Sequence, residues 1–170
     1  MSAGDWEARL AVHWATLDEA DADAFIAELD ALTGELPADD PVAFFERAAA
    51  RDSLGHPDLA VPLYQRALAL GLSGIRRRRA VIQMASSLRN LGVVDDAVRL
   101  LREEKTKGSD ELDDAVDAFL ALCLVDAGQS REAASLALTA LAPHLPRYQR
   151  SLGRYARALL EPDDVQDTLA

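Results

Sequence analysis

Apolar residues along this chain recur with the period of an α-helix almost throughout, and the breaks fall at Gly, Pro and Asp. Trp6, Leu10, Trp14 and Leu17 share one helical face over residues 5–17. Asp18 or Asp21 can cap a second helix that carries Phe25, Ile26, Leu29 and Leu32 and ends near Gly34. Asp40 caps the next, with Pro41 at the first helical position, where its missing N–H costs nothing. That helix runs to Gly55, and another follows Pro57-Asp58 to Leu70, with Pro62 tolerable only in or near its first turn. Ser73 caps a long helix to Leu91, Asp95 opens one ending near Gly108, and Ser109 caps one to Ala127. Ser130 opens a helix that stops before Pro143, and Pro146 starts a last one to about Leu160. No segment alternates with the period of two that a strand requires.

Three of these turns repeat one pattern. Leu54-Gly55 is followed by Ala60, Tyr64 and Ala67; Leu91-Gly92 by Ala97, Leu101 and Glu104; Ala127-Gly128 by Ala133, Ala137 and Ala140. Gly55 and Gly92 are 37 residues apart, and Gly92 and Gly128 are 36 apart. Periodicity of that length denotes stacked helical hairpins, whose usual work is to hold another molecule.

The chain resembles the tetratricopeptide repeat family, whose units are helical pairs of ~34 residues with small residues where the helices touch. Ala48, Gly55, Ala60 and Ala67 match in one unit; Ala85, Gly92 and Ala97 in the next; Ala121, Gly128, Ala133 and Ala140 in the third. A methyl group at Ala60, Ala97 or Ala133 lets the second helix lie close on the first. The stretch from Arg79 to Gly92 is similar to small, stand-alone bacterial members without an established activity. The resemblance implies an all-α, right-handed α-α superhelix, a tetratricopeptide-like solenoid of antiparallel helix pairs. It would be one domain: an N-terminal pair over 1–36, repeats at 41–72, 74–108 and 109–143, a capping helix at 146–160 and an acidic tail at 161–170.

In the family, the first helix of each pair lines a concave groove. By position that gives Val42, Phe45, Glu46, Ala49, Asp52 and Ser53 from the first unit. The second gives Arg79, Ile82, Gln83, Ser86, Arg89 and Asn90, and the third Ala115, Ala118, Phe119, Leu122, Val125 and Asp126. A partner peptide or helix would lie along Phe45, Ile82, Phe119 and Leu122, with Arg79, Gln83, Ser86, Arg89 and Asn90 supplying polar contacts. Chaperone-binding members grip a terminal carboxylate with a Lys, Asn and Arg clamp. Here those positions read Phe45, Ala49, Gln83, Ala115 and Phe119, so that ligand is not expected. Arg47 and Arg51, Asp117 and Glu104 stand where the family carries apolar or small residues.

Charge sharpens the picture. The net charge is −11, which argues against general nucleic-acid affinity. It is banded: −10 over residues 1–40, +5 over 71–108, −6 over 109–128 and +4 over 129–160. Arg76, Arg77, Arg78 and Arg79 open a helix at the end where the macrodipole disfavours cations, by about 0.3–1 kcal/mol per exposed charge. Pairing with acids, within the chain or between subunits, is the favoured reading. An alternative function is therefore a self-assembling structural module, for instance a homodimer, held by complementary bands.

The remaining chemistry is sparse. His13, His56 and His144 are scattered, and no His or Cys pair has ligand spacing, so no metal is expected. Asp110, Asp113, Asp114 and Asp117 form an acidic stripe without a calcium-loop glycine. The single Cys123 sits between leucines and reads as a core residue. No phosphate loop, nucleophile elbow or dinucleotide fingerprint occurs, so neither catalysis nor a cofactor is expected. Sixteen Arg to two Lys suggests a bacterial source. One cysteine, no basic-then-apolar leader and no membrane-length apolar run suggest a cytoplasmic protein with no membrane partner.

Overall fold

Side-chain caps fix the starts of two helices. The computed structural model describes residues 3–18 and 21–161, and among them every regular element is helical. The helices are α1 (Ala3–Trp14), α2 (Ala22–Thr33), α3 (Pro41–Ser53), α4 (Pro57–Ala69), α5 (Gly74–Asn90), α6 (Val94–Lys105), α7 (Asp113–Asp126), α8 (Ser130–Leu141) and α9 (Gln149–Ala158). The Asp21 carboxylate accepts from the N–H groups of Asp23 and Ala24, and that of Asp40 accepts from Val42 at 2.8 Å. Ser73 occupies a cap position, but its hydroxyl makes no capping bond. Pro62 lies past the first turn of α4, on its exposed side.

Two helices start later than their sequence signals suggest. α7 begins at Asp113, because Ser109 to Leu112 form a turn of their own. In it the Asp110 carboxylate accepts from the Leu112 N–H at 2.8 Å, and Ser109 donates to Asp113. α9 begins at Gln149, after a short 3-10 turn at Ala142–His144. Gln149 holds that turn by donating to the carbonyls of Pro143 and Leu145. The acidic tail expected over 161–170 lies outside the described residues beyond Glu161.

The chain divides into two compact units, one up to Val93 and one from Val94. The sequence reading placed that point inside its second repeat, within one domain. In the first unit α3 packs most heavily on α4, with α2 against α3 and α4 against α5. Ala48, Ala60, Ala67 and Ala80 are wholly buried there, as are Phe45 and Tyr64, whose ring centroids lie 6.3 Å apart. Trp6 and Leu10 of α1 join Phe25, Leu29 and Ala50 in one cluster, so the N-terminal pair is docked onto α3. The Trp6 indole N–H also donates to the Leu32 carbonyl at 3.0 Å.

Arg47 and Arg51 depart from the apolar pattern because of α2. Arg51 reaches the Asp30 carboxylate at 2.8 Å, and Arg47 donates to the Thr33 hydroxyl at 2.7 Å. In the second unit α6, α7, α8 and α9 pack in sequence order around Leu101, Val116, Leu120, Cys123, Leu124, Ala133 and Ala156. Asp117, another departure, pairs with Lys105 of α6.

The recurring glycine is a backbone device. Gly55 has φ +83°, its N–H reaches the Asp52 carbonyl, and the His56 N–H reaches the Arg51 carbonyl at 2.8 Å. Two orphan carbonyls at the end of α3 are thereby satisfied. Gly92 and Gly128 repeat the geometry. A Cβ at Gly55 would meet nothing within 4 Å, so replacement is disfavoured by backbone conformation alone. Gly55→Ala should destabilise the fold by about 1 kcal/mol, and Gly55→Asn by less, because Asn tolerates this region. Urea unfolding with unchanged helical circular dichroism checks both.

Candidate functional site

The face of the first unit where α1, α3 and α5 converge holds its most elaborate polar arrangement. Glu46 lies on α3 among alanines and Phe45, with only 4% of its side chain exposed. Its Oε1 accepts from Arg76 Nε of α5, and its Oε2 from the Trp14 indole of α1, both at 2.9 Å. The Arg76 guanidinium then turns its two remaining nitrogens onto the Glu7 carboxylate of α1, at 3.0 and 2.6 Å. Hydrogen bonding to Glu7, and then to Glu46, holds Arg76 above its ordinary pKa despite partial burial. A shallow pocket opens here, lined by Glu7, Leu10, Ala11, Trp14, Glu46, Arg76 and Arg79.

A second polar cluster lies farther along α3 and α5. The Ser87 hydroxyl donates to one oxygen of Asp52 at 2.7 Å, and the Tyr64 hydroxyl to the other at 3.2 Å. Burial raises the Asp52 pKa against the lowering effect of those two bonds. Burial, then the Asp52 charge, pushes the Tyr64 phenol far up. The cluster has a carboxylate and two hydroxyls but no base aimed at either hydroxyl, which is the arrangement of a structural network.

The sequence-selected residues separate on this frame. Phe45 and Ile82, expected to meet a ligand, are buried. The surface above Phe45 is supplied by exposed Arg79, whose guanidinium carbon lies 5.3 Å from the ring centroid. Gln83, Ser86 and Arg89 are half-buried and Asn90 is exposed. Arg79, Gln83, Ser86 and Asn90 recur on one side of α5, within about 60° of one another at 3.6 residues per turn. The Gln83 Oε1 is buried there without a hydrogen-bond partner. Of the arginine run, Arg76 is engaged as described, Arg77 is half-buried and Arg78 is buried.

In the second unit Phe119 is half-buried, and Leu122 is 45% exposed on α7. Among the described residues no three His, Cys, Asp or Glu side chains are grouped to hold a metal ion. No helix among them is long and apolar enough to cross a membrane.

Sequence reasoning placed Glu46 on the ligand face and did not foresee its burial beneath Trp14. The legible signal was an acid at a core-facing register of α3, with an arginine at the matching register of α5. Likewise Asp52 and Tyr64 carry no sequence signal that joins them through Ser87.

Helical hairpins with methyl-sized contacts and a left-handed glycine at each turn define a helical-repeat protein. The tetratrico peptide repeat family model matches residues 41–159, and the chain belongs to that family. Its repeats generally mediate protein–protein interaction, typically as non-catalytic scaffolds. No curated protein and no solved structure matches the chain.

Two measurements probe the site. Glu46→Ala leaves Trp14 and Arg76 without their buried acceptor and should cost about 1–3 kcal/mol. Glu7→Ala removes an exposed partner and should cost under about 1 kcal/mol; chemical denaturation ranks the pair. The raised Asp52 pKa means that folding favours its protonated form more than the unfolded chain does. The associated stability is present below the unfolded-state value and lost as pH rises through the folded one. Asp52→Asn should therefore gain stability relative to the parent chain between acidic and neutral pH, measured as urea midpoints across that range.

Proposed function

We propose that the chain is a non-catalytic scaffold that holds a peptide or helix of a partner protein along α5 of its first unit. The observation that carries this reading is the line of Arg79, Gln83, Ser86 and Asn90 on one side of that helix. Arg79 is exposed, stacked on Phe45, and makes no ion pair with a described residue. A guanidinium held by its face keeps its N–H edges for carbonyls or carboxylates of a ligand. Gln83, half-buried on the same side, carries a side-chain oxygen without a hydrogen-bond partner. Family membership supports the class of function, and these residues supply its chemistry. In the second unit, Phe119 and exposed Leu122 give α7 an apolar strip that we assign to the same general role, described on that unit alone.

Self-association through charge bands draws less support. Many of the charges in those bands are spent within each unit: Arg76 on Glu7 and Glu46, Arg51 on Asp30, Arg66 on Asp39 and Arg102 on Glu132.

A photo-crosslinking residue at Ser86 should capture a partner in a lysate of the source cells. The same residue at exposed Gln65 on α4 should not, and Arg79→Glu should abolish capture at Ser86. Equal capture from both positions, or capture indifferent to Arg79→Glu, would remove α5 as the binding face.

A further inference from the structure

We infer that α9 is a second docking surface, independent of α5, and that it takes an acidic polypeptide segment on Tyr148, Arg150, Arg154, Tyr155 and Arg157. The helix buries Gly153 and Ala156 and packs against α8. Arg150, Arg154 and Arg157 are exposed and follow an i, i+4, i+7 spacing, which sets them within about 60° on one side. None of the three forms an ion pair with a described residue. Acids on neighbouring elements are already engaged, Glu132 with Arg102 at 2.8 Å and Asp114 with His144 at 2.7 Å. Arg9, Arg47, Arg51, Arg66, Arg76, Arg99 and Arg102 are each answered by a carboxylate; here a row of arginines faces solvent.

The backbone supplies a second, separate observation. Tyr148 has φ +70°, the one non-glycine residue among those described with a positive φ. A bulky residue is disfavoured there, and such outliers persist where the surroundings hold them. Tyr148 is held through its carbonyl, which accepts from the Leu152 N–H at 2.9 Å and from the Ser151 hydroxyl at 3.0 Å. Its side chain is 75% exposed, so no core packing accounts for a ring at this position. Tyr155 is 61% exposed, and the Arg154 guanidinium carbon lies 5.1 Å from its ring centroid. Exposed tyrosine interleaved with arginine is the composition of interface hot spots.

The charge of the row selects an anionic ligand, and exposed guanidinium groups suit carboxylates. Arg150 and Arg157 are about 10 Å apart along the axis, a span that a short run of Asp and Glu covers. A nucleic acid would present the same sign of charge; exposed tyrosine beside arginine, in a family whose repeats generally meet proteins, favours the polypeptide.

The test uses the full chain, a fluorescent oligoglutamate peptide and a fluorescent oligothymidylate, read by anisotropy at two salt concentrations. The peptide should bind, and added salt should weaken it. Arg150→Gln, Arg154→Gln and Arg157→Gln together should weaken it by about tenfold or more with helical circular dichroism retained. Tyr148→Asn should weaken binding while raising the thermal midpoint, because Asn relieves the backbone. Arg99→Gln on α6, an exposed arginine already paired with Asp96 and Glu103, should leave peptide binding unchanged. The inference is overturned by no peptide binding, by undiminished binding in the triple variant, by tighter binding of the oligothymidylate, or by a lowered midpoint in Tyr148→Asn.

Discussion

One buried carboxylate organises the first unit. Glu46 lies where an apolar residue would pack more cheaply, and an unanswered anion at that depth would be costly. Both of its oxygens are answered, one by α1 and one by α5, so three helices distant in sequence meet at a single group. Trp14 is thereby fixed at its polar edge, and Arg76 is fixed in an orientation that reaches Glu7. The apolar cluster of Trp6, Leu10, Phe25 and Leu29 supplies non-directional attraction between α1, α2 and α3. Glu46 supplies direction: it sets where α1 ends on α3 and which side of α5 it meets.

The same constraint explains why the arginine run tolerates the unfavourable end of its helix. A cation at the start of α5 loses energy against the dipole, at most about 1 kcal/mol when exposed. For Arg76 three hydrogen bonds to two carboxylates offset that loss. Arg79 is placed on an aromatic face instead, a weaker interaction that leaves its hydrogen-bonding edges available. The two ends of one arginine run therefore differ in role, and the difference arises from what α1 and α3 bring to each.

The repeat was legible because its causes are local. Gly55, Gly92 and Gly128 each close a helix, with their own and the next N–H on the carbonyls three and four residues before the glycine, and the alanines sit at fixed steps beyond them. Such short-range geometry leaves a periodic trace in the sequence. Caps at Asp21 and Asp40 were readable for the same reason. Arg47 and Arg51 read as irregularities, and only the arrival of Asp30 and Thr33 from α2 makes them intelligible. The late starts of α7 and α9 belong to this second kind, since the acids after Ser109 and the amide of Gln149 bond sideways within turns that periodicity does not register. Phe45 looked available because its register matches the ligand-facing side of the family. Arg79, more than thirty residues on, covers it.

Arginine thus serves two purposes in this protein. Arg47, Arg51 and Arg76 are half-buried, bidentate or multiply bonded, and their carboxylates come from helices they help to dock. They are part of the fold, and their charges cancel acids that would otherwise repel one another over residues 1–40. Arg79 on α5 and Arg150, Arg154 and Arg157 on α9 are exposed, and of these Arg79 and Arg154 lie against aromatic rings. A guanidinium oriented without a counter-ion has already lost part of its side-chain freedom, so a ligand that meets it surrenders less entropy on binding. In an acidic chain whose other arginines are largely neutralised from within, those left without a counter-ion are the ones proposed to meet a partner's carbonyls or carboxylates.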